Sequence, residues 1–152
     1  MSGLDRLDFP VGRWKGRSTD QFGEKGVIES TLECTKELDG RFLQLRGEST
    51  RDGATLDRAI EFIAFDPRAG RYICKRMWSY GFIENEEGRR EDDSTLMFQI
   101  KFDNQPPDFA GTLWRSFIRR YSDNEIGHGL YTAKEGEQYH LYGETRQFRV
   151  QT

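Results

Sequence analysis

The chain has 152 residues, with 23 Lys or Arg against 26 Asp or Glu and a formal net charge of −3. This length suits a single domain over 1–152 that is built around one core. Charges of both signs alternate along the chain, which excludes the basic footprint of a nucleic-acid-binding protein. No apolar run approaches the ~20 residues that span a bilayer, and the first residues lack an apolar signal segment, so we expect a cytoplasmic protein.

Rings make an unusually large contribution to the apolar content of this chain. Hydrophobic residues are only 35% of the sequence, but Phe, Trp and Tyr alone are 13%. The interior must therefore be filled largely by rings. Cys34 and Cys74 fall inside predicted strands without metal-like spacing, which predicts buried free thiols rather than a disulfide or a metal site.

Period-two alternation between short turn signals runs from Gly12 onward and predicts an all-β chain. The predicted strands are Gly12–Phe22, Val27–Leu38, Arg41–Thr50, Leu56–Phe65, Arg71–Glu84, Asp93–Phe102, Phe109–Tyr121, Glu125–Ala133 and Gln138–Val150. Asp39-Gly40 and Asp52-Gly53 are hairpin signals because both residue types tolerate positive φ. We expect the fifth strand to be followed by a turn at Asn85–Gly88.

A chain of hairpin-connected strands in sequence order is a meander. The simplest arrangement is a closed up-and-down β-barrel of nine or ten strands, because closure removes unpaired edges and joins the last strand to the first. A two-sheet sandwich is the alternative, disfavoured by the lack of long crossover connections. Leu4, Leu7, Phe9 and Val11 predict a short N-terminal helical turn that plugs one end of the barrel.

Alternation also predicts which side chains face inward. Leu96, Phe98, Ile100 and Phe102 share one face of the sixth strand. In the fifth strand Tyr72, Cys74, Arg76, Trp78, Tyr80 and Phe82 share a face, so Arg76 enters the interior if the rings do. An arginine cannot lose its proton there, so it needs carboxylates or other acceptors.

A ligand site follows from these faces as a hypothesis. Arg76, Tyr142 and Arg146 are its candidate anchors, since guanidinium groups bind carboxylate or phosphate in bidentate geometry. Trp78, Tyr80 and Phe117 are its candidate apolar wall. The alternative is that the arginines pair with Glu61 or Glu144 on an outer face.

Other candidate groups point more weakly to function. His128, flanked by two glycines, is a candidate metal or haem ligand or base, although a hydrogen-bonded histidine near the rim is the simpler interpretation, and His140 is interpreted in the same way. The carboxylates of Glu84–Asp93 are interpreted as a solvated hairpin tip. No catalytic motif is present, which disfavours an enzyme. Phe65, Trp114 and Ile118 are candidates for an outer face that forms a homodimer.

Several short motifs resemble a known group of barrels. Gly12-Arg13-Trp14-Lys15-Gly16 is a G-x-W-x-G entry into the first strand, followed by Leu38–Phe42, the hairpin Phe65–Tyr72 and then Met77-Trp78-Ser79. Together they resemble a bacterial family of lipocalin-like barrels in the calycin superfamily, and more distantly the nitrobindin-like and fatty-acid-binding barrels. The resemblance implies a barrel whose cavity holds a small hydrophobic or amphipathic ligand.

Two departures from these relatives bear on the ligand. The carboxylate-binding Arg-x-Tyr pair of fatty-acid-binding proteins is here Arg146-Gln147-Phe148, which lacks the phenol. Nitrobindin-like proteins bind haem through a histidine near the C-terminus, and neither His128 nor His140 aligns clearly with that position.

Three functions remain open from the sequence. The first is non-catalytic binding of a small hydrophobic or amphipathic molecule, with an anionic head group as one option and no cofactor. The second is a barrel that holds haem or another cofactor and has redox or isomerase-type activity. The third is a structural or interaction barrel with a filled core.

Overall fold

Ten antiparallel strands follow one another in chain order in the computed structural model, which describes residues 7–104 and 110–151. They are β1 (Gly12–Thr19), β2 (Val27–Glu37), β3 (Phe42–Arg51), β4 (Ala54–Asp66), β5 (Arg71–Trp78), β6 (Ile83–Arg90), β7 (Thr95–Phe102), β8 (Thr112–Ser122), β9 (Glu125–Lys134) and β10 (His140–Arg149). Each strand pairs with its sequence neighbours, and β1 pairs with β10 to close the barrel. The predicted all-β closed meander is confirmed.

The two Asp-Gly hairpins form as predicted. Asp39 and Gly40 have φ values of 58° and 75°, and Asp52 and Gly53 have 51° and 78°. At Asp52-Gly53 these two residues are the whole loop, because two consecutive positive φ values match the right-handed twist of the flanking strands. The loop at Asp39-Gly40 is longer: Leu38 also has a positive φ, of 51°, and four residues join Glu37 to Phe42.

The predicted fifth strand is wrong over its second half. The chain turns at Ser79–Phe82, where Gly81 has a φ of 90°, and Ile83 begins a separate strand, β6. The predicted turn at Asn85–Gly88 lies inside β6 instead. A Cβ at position 88 would overlap the ring of Phe98 on β7, so this position requires glycine. The glycine therefore makes room for a ring and does not mark a turn.

One half of the barrel is closed by packed side chains. Its core cluster contains Trp14, Leu43, Ile63, Phe98 and other buried residues from the corresponding strand ends. Trp14 is 1% exposed, and its Nε1 donates to the Pro10 carbonyl oxygen at 2.7 Å. We call this the closed half; the other half, where β1, β3, β5, β7 and β9 end, is the open half.

The described part of the N-terminal segment, from Leu7 onward, covers the closed half. Leu7 is buried in the core cluster, and Phe9 and Val11 pack against it. Leu4 lies outside the described residues. No α-helix occurs within 7–104 and 110–151, so the predicted helical plug is not supported. The same ranges hold no helix with the length and apolarity needed to cross a lipid bilayer.

The predicted dimer face is also wrong. Trp114 and Ile118 point into the barrel, and they are only 9% and 3% exposed. Phe65 is half-buried against the core, and its ring is tilted against that of Tyr72 with the centroids 5.1 Å apart. These three side chains stabilise one subunit from within, so they cannot form an outer contact surface.

Candidate functional site: a cavity in the open half of the barrel

A cavity of about 540 Å³ occupies the open half of the barrel. Such a volume lies within the range of sites that bind small organic molecules. Residues from all ten strands line it, and so do the β1–β2 loop and the turn between β5 and β6. Its mouth lies at the end of the barrel where Phe22, Asp57, Tyr80 and Tyr142 are found.

Seven rings line the cavity, together with aliphatic side chains such as Leu32, Leu45 and Ile100. The rings are Phe22, Trp78, Tyr80, Phe82, Phe102, Trp114 and Tyr142. Trp78 and Tyr80 are stacked with their centroids 6.2 Å apart, and Trp114 meets Tyr142 edge to face at 5.0 Å. Ring pairs of this kind hold one another in place, so the wall is preformed for a flat or apolar ligand.

Cross-strand register builds a charged layer at the inner end of the cavity. Arg76 of β5 lies directly opposite Glu61 of β4 on one side and Glu84 of β6 on the other. All three side chains are at least nine-tenths buried. With Glu86 of β6 and His128 of β9, they form what we call the polar floor, which separates the cavity from the closed half.

The guanidinium of Arg76 is fully engaged by the floor. Its Nε and Nη2 donate to Glu61 Oε2 at 3.1 and 2.8 Å, and its Nη1 donates to Glu84 Oε2 at 3.3 Å. Nη1 also lies 3.8 Å from Glu86 Oε1. Nη2 contacts His128 Nε2 at 3.3 Å. Four of the five N–H groups of the guanidinium therefore have a protein partner within hydrogen-bond distance, and the second N–H of Nη1 has Glu86 as an ion-pair contact.

The three carboxylates take further hydrogen bonds from neighbouring side chains. The Trp78 indole donates to Glu84 Oε1 at 2.7 Å, and the Ser116 hydroxyl donates to Glu86 Oε1 at 2.6 Å. The single thiol proton of Cys74 goes to Glu61 Oε1 at 3.0 Å. Glu86 Oε2 has no hydrogen-bond donor among the described residues. The floor therefore holds more buried negative charge than its one guanidinium can balance.

The pKa values of the floor follow from this imbalance. Burial raises the pKa of Glu86 to about 7, against the lowering effect of Arg76, and Glu61 and Glu84 raise it further. Burial raises the pKa of Glu84 as well. For Glu61, burial is outweighed by Arg76, His128 and the hydrogen bonds from Cys74 and Arg76, so its pKa is lowered. Glu61 is thus the carboxylate that stays ionised beside Arg76.

His128 is neutral in this setting. Burial and the adjacent Arg76 charge lower its pKa to about 4, although Glu61 acts in the opposite direction. A neutral ring accepts the Arg76 hydrogen bond at Nε2 and carries its proton on Nδ1. As arranged, this histidine does not fit a haem ligand, because Nε2 already faces a guanidinium at 3.3 Å. The other candidate, His140, is exposed at the start of β10.

Four of the predicted binding residues line the cavity together: Arg76, Trp78, Tyr80 and Tyr142. Phe117 lies on the other face of β8, where it packs over Gly129 and against Tyr131. Arg146 lies outside as well, paired with Glu125 at 2.6 Å.

A β-bulge explains why Tyr142 faces the cavity and Arg146 does not. The sequence places them on one face of the last strand, but the pairing of β10 with β9 shifts register between Leu141 and Gly143. After the shift, Thr145 and Gln147 face the cavity and Arg146 faces outward. A bulge of this kind turns every later side chain to the opposite face.

Sequence reasoning missed the carboxylates of β6. The run Glu84–Asp93 is interpreted there as a solvated tip, whereas Glu84 and Glu86 are 6% and 1% exposed. The signal that finds them is the alternation of Glu84, Asn85 and Glu86 once β6 is recognised as a strand: Arg76 needs inward acceptors from a neighbouring strand.

Comparisons with known proteins agree on the fold. No family model matches the chain, and no curated protein matches it in sequence. Among solved structures, Rv2717c from M. tuberculosis matches with a TM-score of 0.69 and 14% identity over 99% of both chains. The S-type phycobiliprotein lyase CPES from Guillardia theta matches with a TM-score of 0.65 and 12% identity, over 100% of this chain and 94% of the lyase. These likenesses show a shared barrel fold.

Proposed function

We propose that this protein binds a small hydrophobic or amphipathic molecule in the open half of its barrel without transforming it. The observation that carries the proposal is the cavity of about 540 Å³, walled by seven rings above a polar floor. A barrel with a purely structural role would fill this half as it fills the other. The lyase from Guillardia theta, whose name says that it acts on a phycobiliprotein, has a similar barrel fold, which is in keeping with a barrel that accepts a ligand.

The polar floor supports binding rather than catalysis. Arg76 donates hydrogen bonds to Glu61 and Glu84, and His128 Nε2 accepts a further one from it. A general base or an electrophile must have a free atom that faces the substrate. The floor is instead a rigid polar surface beneath a ligand whose contacts are mainly with aromatic rings.

A cavity-filling variant tests the proposal. Gly47 lines the cavity, and a Cβ there meets only Thr31 O at 3.7 Å and Leu32 Cδ1 at 3.9 Å, so a larger side chain can extend into the free space. We expect Nile red, a neutral dye that brightens in apolar surroundings, to bind wild type with micromolar affinity. Gly47→Phe should abolish this binding while the fold is retained.

The control is Arg46→Phe, which adds a ring at the next, exposed position of β3. It should bind Nile red as wild type does. Equal binding by wild type and Gly47→Phe would refute the cavity as the site.

Two other functions keep distinct observables. A haem-binding barrel would show a Soret band after purification that is lost in His128→Ala or His140→Ala. A filled structural barrel would bind neither Nile red nor any co-purifying molecule in native mass spectrometry.

A further inference from the structure

The charged groups that line the cavity are strongly unequal in sign. Among the described residues, four carboxylates and one guanidinium, that of Arg76, lie on the inward side of the lining. The carboxylates are Glu24 and Asp57 toward the mouth, and Glu61 and Glu84 at the floor. The guanidinium is matched by the floor alone, since Glu61 and Glu84 both bind it and Glu86 lies behind them.

The mouth keeps a negative charge after its own pairs are counted. Glu24 binds Arg51 at 2.9 Å and is balanced by it. Asp57 accepts a hydrogen bond from the Tyr80 hydroxyl at 3.1 Å, and this donor is neutral. Burial, together with the negative charges of Asp57 and Glu24, raises the pKa of Tyr80 to about 12, which is consistent with a negative potential at the mouth.

A buried amide on the cavity wall offers an acceptor without a partner. Gln147 is 4% exposed, and its Nε2 donates to the Ser30 hydroxyl at 3.2 Å. Its Oε1 has no donor among the described residues. A buried carbonyl oxygen left in this state costs about 1–3 kcal/mol unless something donates to it. The wall therefore presents acceptors and negative charge, whereas the donors of Arg76 are occupied.

Rings next to carboxylates recognise organic cations. The stacked pair Trp78 and Tyr80 stands beside Asp57, and the negative face of an aromatic ring attracts a positive group. An anionic head group would instead meet carboxylates at both depths of the cavity and find no free guanidinium. A protonated amine meets carboxylates, ring faces and an unpaired amide oxygen, all of which favour it.

We infer that the ligand of this cavity is an amphipathic organic cation, an apolar or aromatic body that carries a protonated amine. The inference rests on the proposed function and names its ligand class. It replaces the anionic option, which depended on Arg76 being free.

Three dansyl probes that differ only in the end of a short alkyl tail test the charge preference. The tails end in a primary ammonium (dansylcadaverine), a methyl group (N-pentyl dansylamide) or a carboxylate (6-dansylaminohexanoate). Their fluorescence reports entry into an apolar site in the same way. We expect the ammonium probe to bind at least about tenfold more tightly than the carboxylate probe and several-fold more tightly than the neutral one.

Matched variants identify the groups responsible. Asp57→Asn removes a charge at the mouth, and Glu84→Gln removes one at the floor with little change of shape. At least one of them should weaken the ammonium probe by about fivefold or more and leave the neutral probe unchanged. Glu87→Gln, an exposed position on the outer face of β6, is the control and should change neither.

The outcomes separate this inference from the proposed function. A neutral or carboxylate probe that binds as tightly as the ammonium probe would overturn the charge inference and leave the cavity as a binding site. An ammonium preference that survives both Asp57→Asn and Glu84→Gln would also overturn it. If no dansyl probe binds and Nile red does not either, the proposed function itself fails.

Discussion

Glu86 provides the sharpest test of the polar floor, because it is a fully buried carboxyl with an unsatisfied oxygen. Its side chain is 0% exposed, and it faces Glu61 of β4, Cys74 and Arg76 of β5, Glu84 of β6 and Ser116 of β8. Replacing it by Gln keeps the shape and the acceptor for Ser116 but removes the charge. We predict that Glu86→Gln stabilises the protein above pH 7.

The magnitude follows from the pKa of this carboxyl. Folding raises it from the ordinary value of 4.5 to about 7. Between these two values the folded state keeps a proton that the unfolded chain releases, so wild-type stability falls as the pH rises through this window. Each unit of difference between the folded and unfolded pKa corresponds to about 1.4 kcal/mol, so the loss of stability reaches about 3 kcal/mol by pH 8. Gln does not titrate and escapes this loss.

The assay is urea unfolding of both proteins from pH 4 to pH 8, followed by tryptophan fluorescence. The stability of Glu86→Gln minus that of wild type should grow from near zero at pH 4 to about 3 kcal/mol at pH 8. His128 titrates in the same range with the opposite sign, because its lowered pKa of about 4 makes stability rise with pH up to its ordinary 6.5. The subtraction removes this contribution, since both proteins contain His128.

The control for this prediction is Glu87→Gln, the next residue of β6, which points outward and pairs with Arg71. Its stability difference from wild type should stay flat with pH. A flat difference for Glu86→Gln as well would refute the reasoning, since it would mean that water reaches this carboxyl and its pKa is ordinary.

Three further predictions concern the floor, the close approach of strands and the thiols. Arg76→Gln leaves the floor carboxylates without their cation and should cost about 3–5 kcal/mol in urea unfolding; a loss below about 1 kcal/mol would contradict a buried ionic floor. Gly129→Ala should lower stability by about 1–3 kcal/mol, because its Cβ would overlap a Gly143 carbonyl and the Phe117 ring, whereas Gly47→Ala should be tolerated; equal melting temperatures would contradict these contacts. Burial and the Glu61 charge raise the pKa of Cys34 to about 12, and they raise the pKa of Cys74 as well. Ellman's reagent at pH 8 should therefore label neither thiol until urea unfolds the chain, and rapid labelling of the native protein would contradict their burial.

Alternation in the sequence predicts most of the barrel because each strand has one face buried. The inward rows of β2, β5 and β7 are read directly from residue parity, and the two Asp-Gly turns fix their hairpins. Arg76 is placed inside by the same reasoning. A strand whose two faces differ in polarity carries its own orientation, and no tertiary information is needed.

Local signals fail where a tertiary contact decides. Gly88 resembles a turn residue but exists to accommodate Phe98, so Glu84 and Glu86 are mistaken for a solvated tip. The bulge at Tyr142 has no signature of its own, and without it Arg146 is assigned to the wrong face. Both errors come from what a neighbouring strand requires, which a single strand's alternation does not contain.

Ligands are expected to enter the open half of this barrel and not its closed half. The chain has three tryptophans, of which Trp78 and Trp114 line the cavity and Trp14 is buried in the core cluster of the closed half. Their indole N–H signals, assigned by single Trp→Phe variants, can be followed by NMR as the tightest-binding dansyl probe is added. We expect saturable shifts for Trp78 and Trp114 with Trp14 unmoved; equal shifts of all three, or movement of Trp14 alone, would refute ligand entry into the open half.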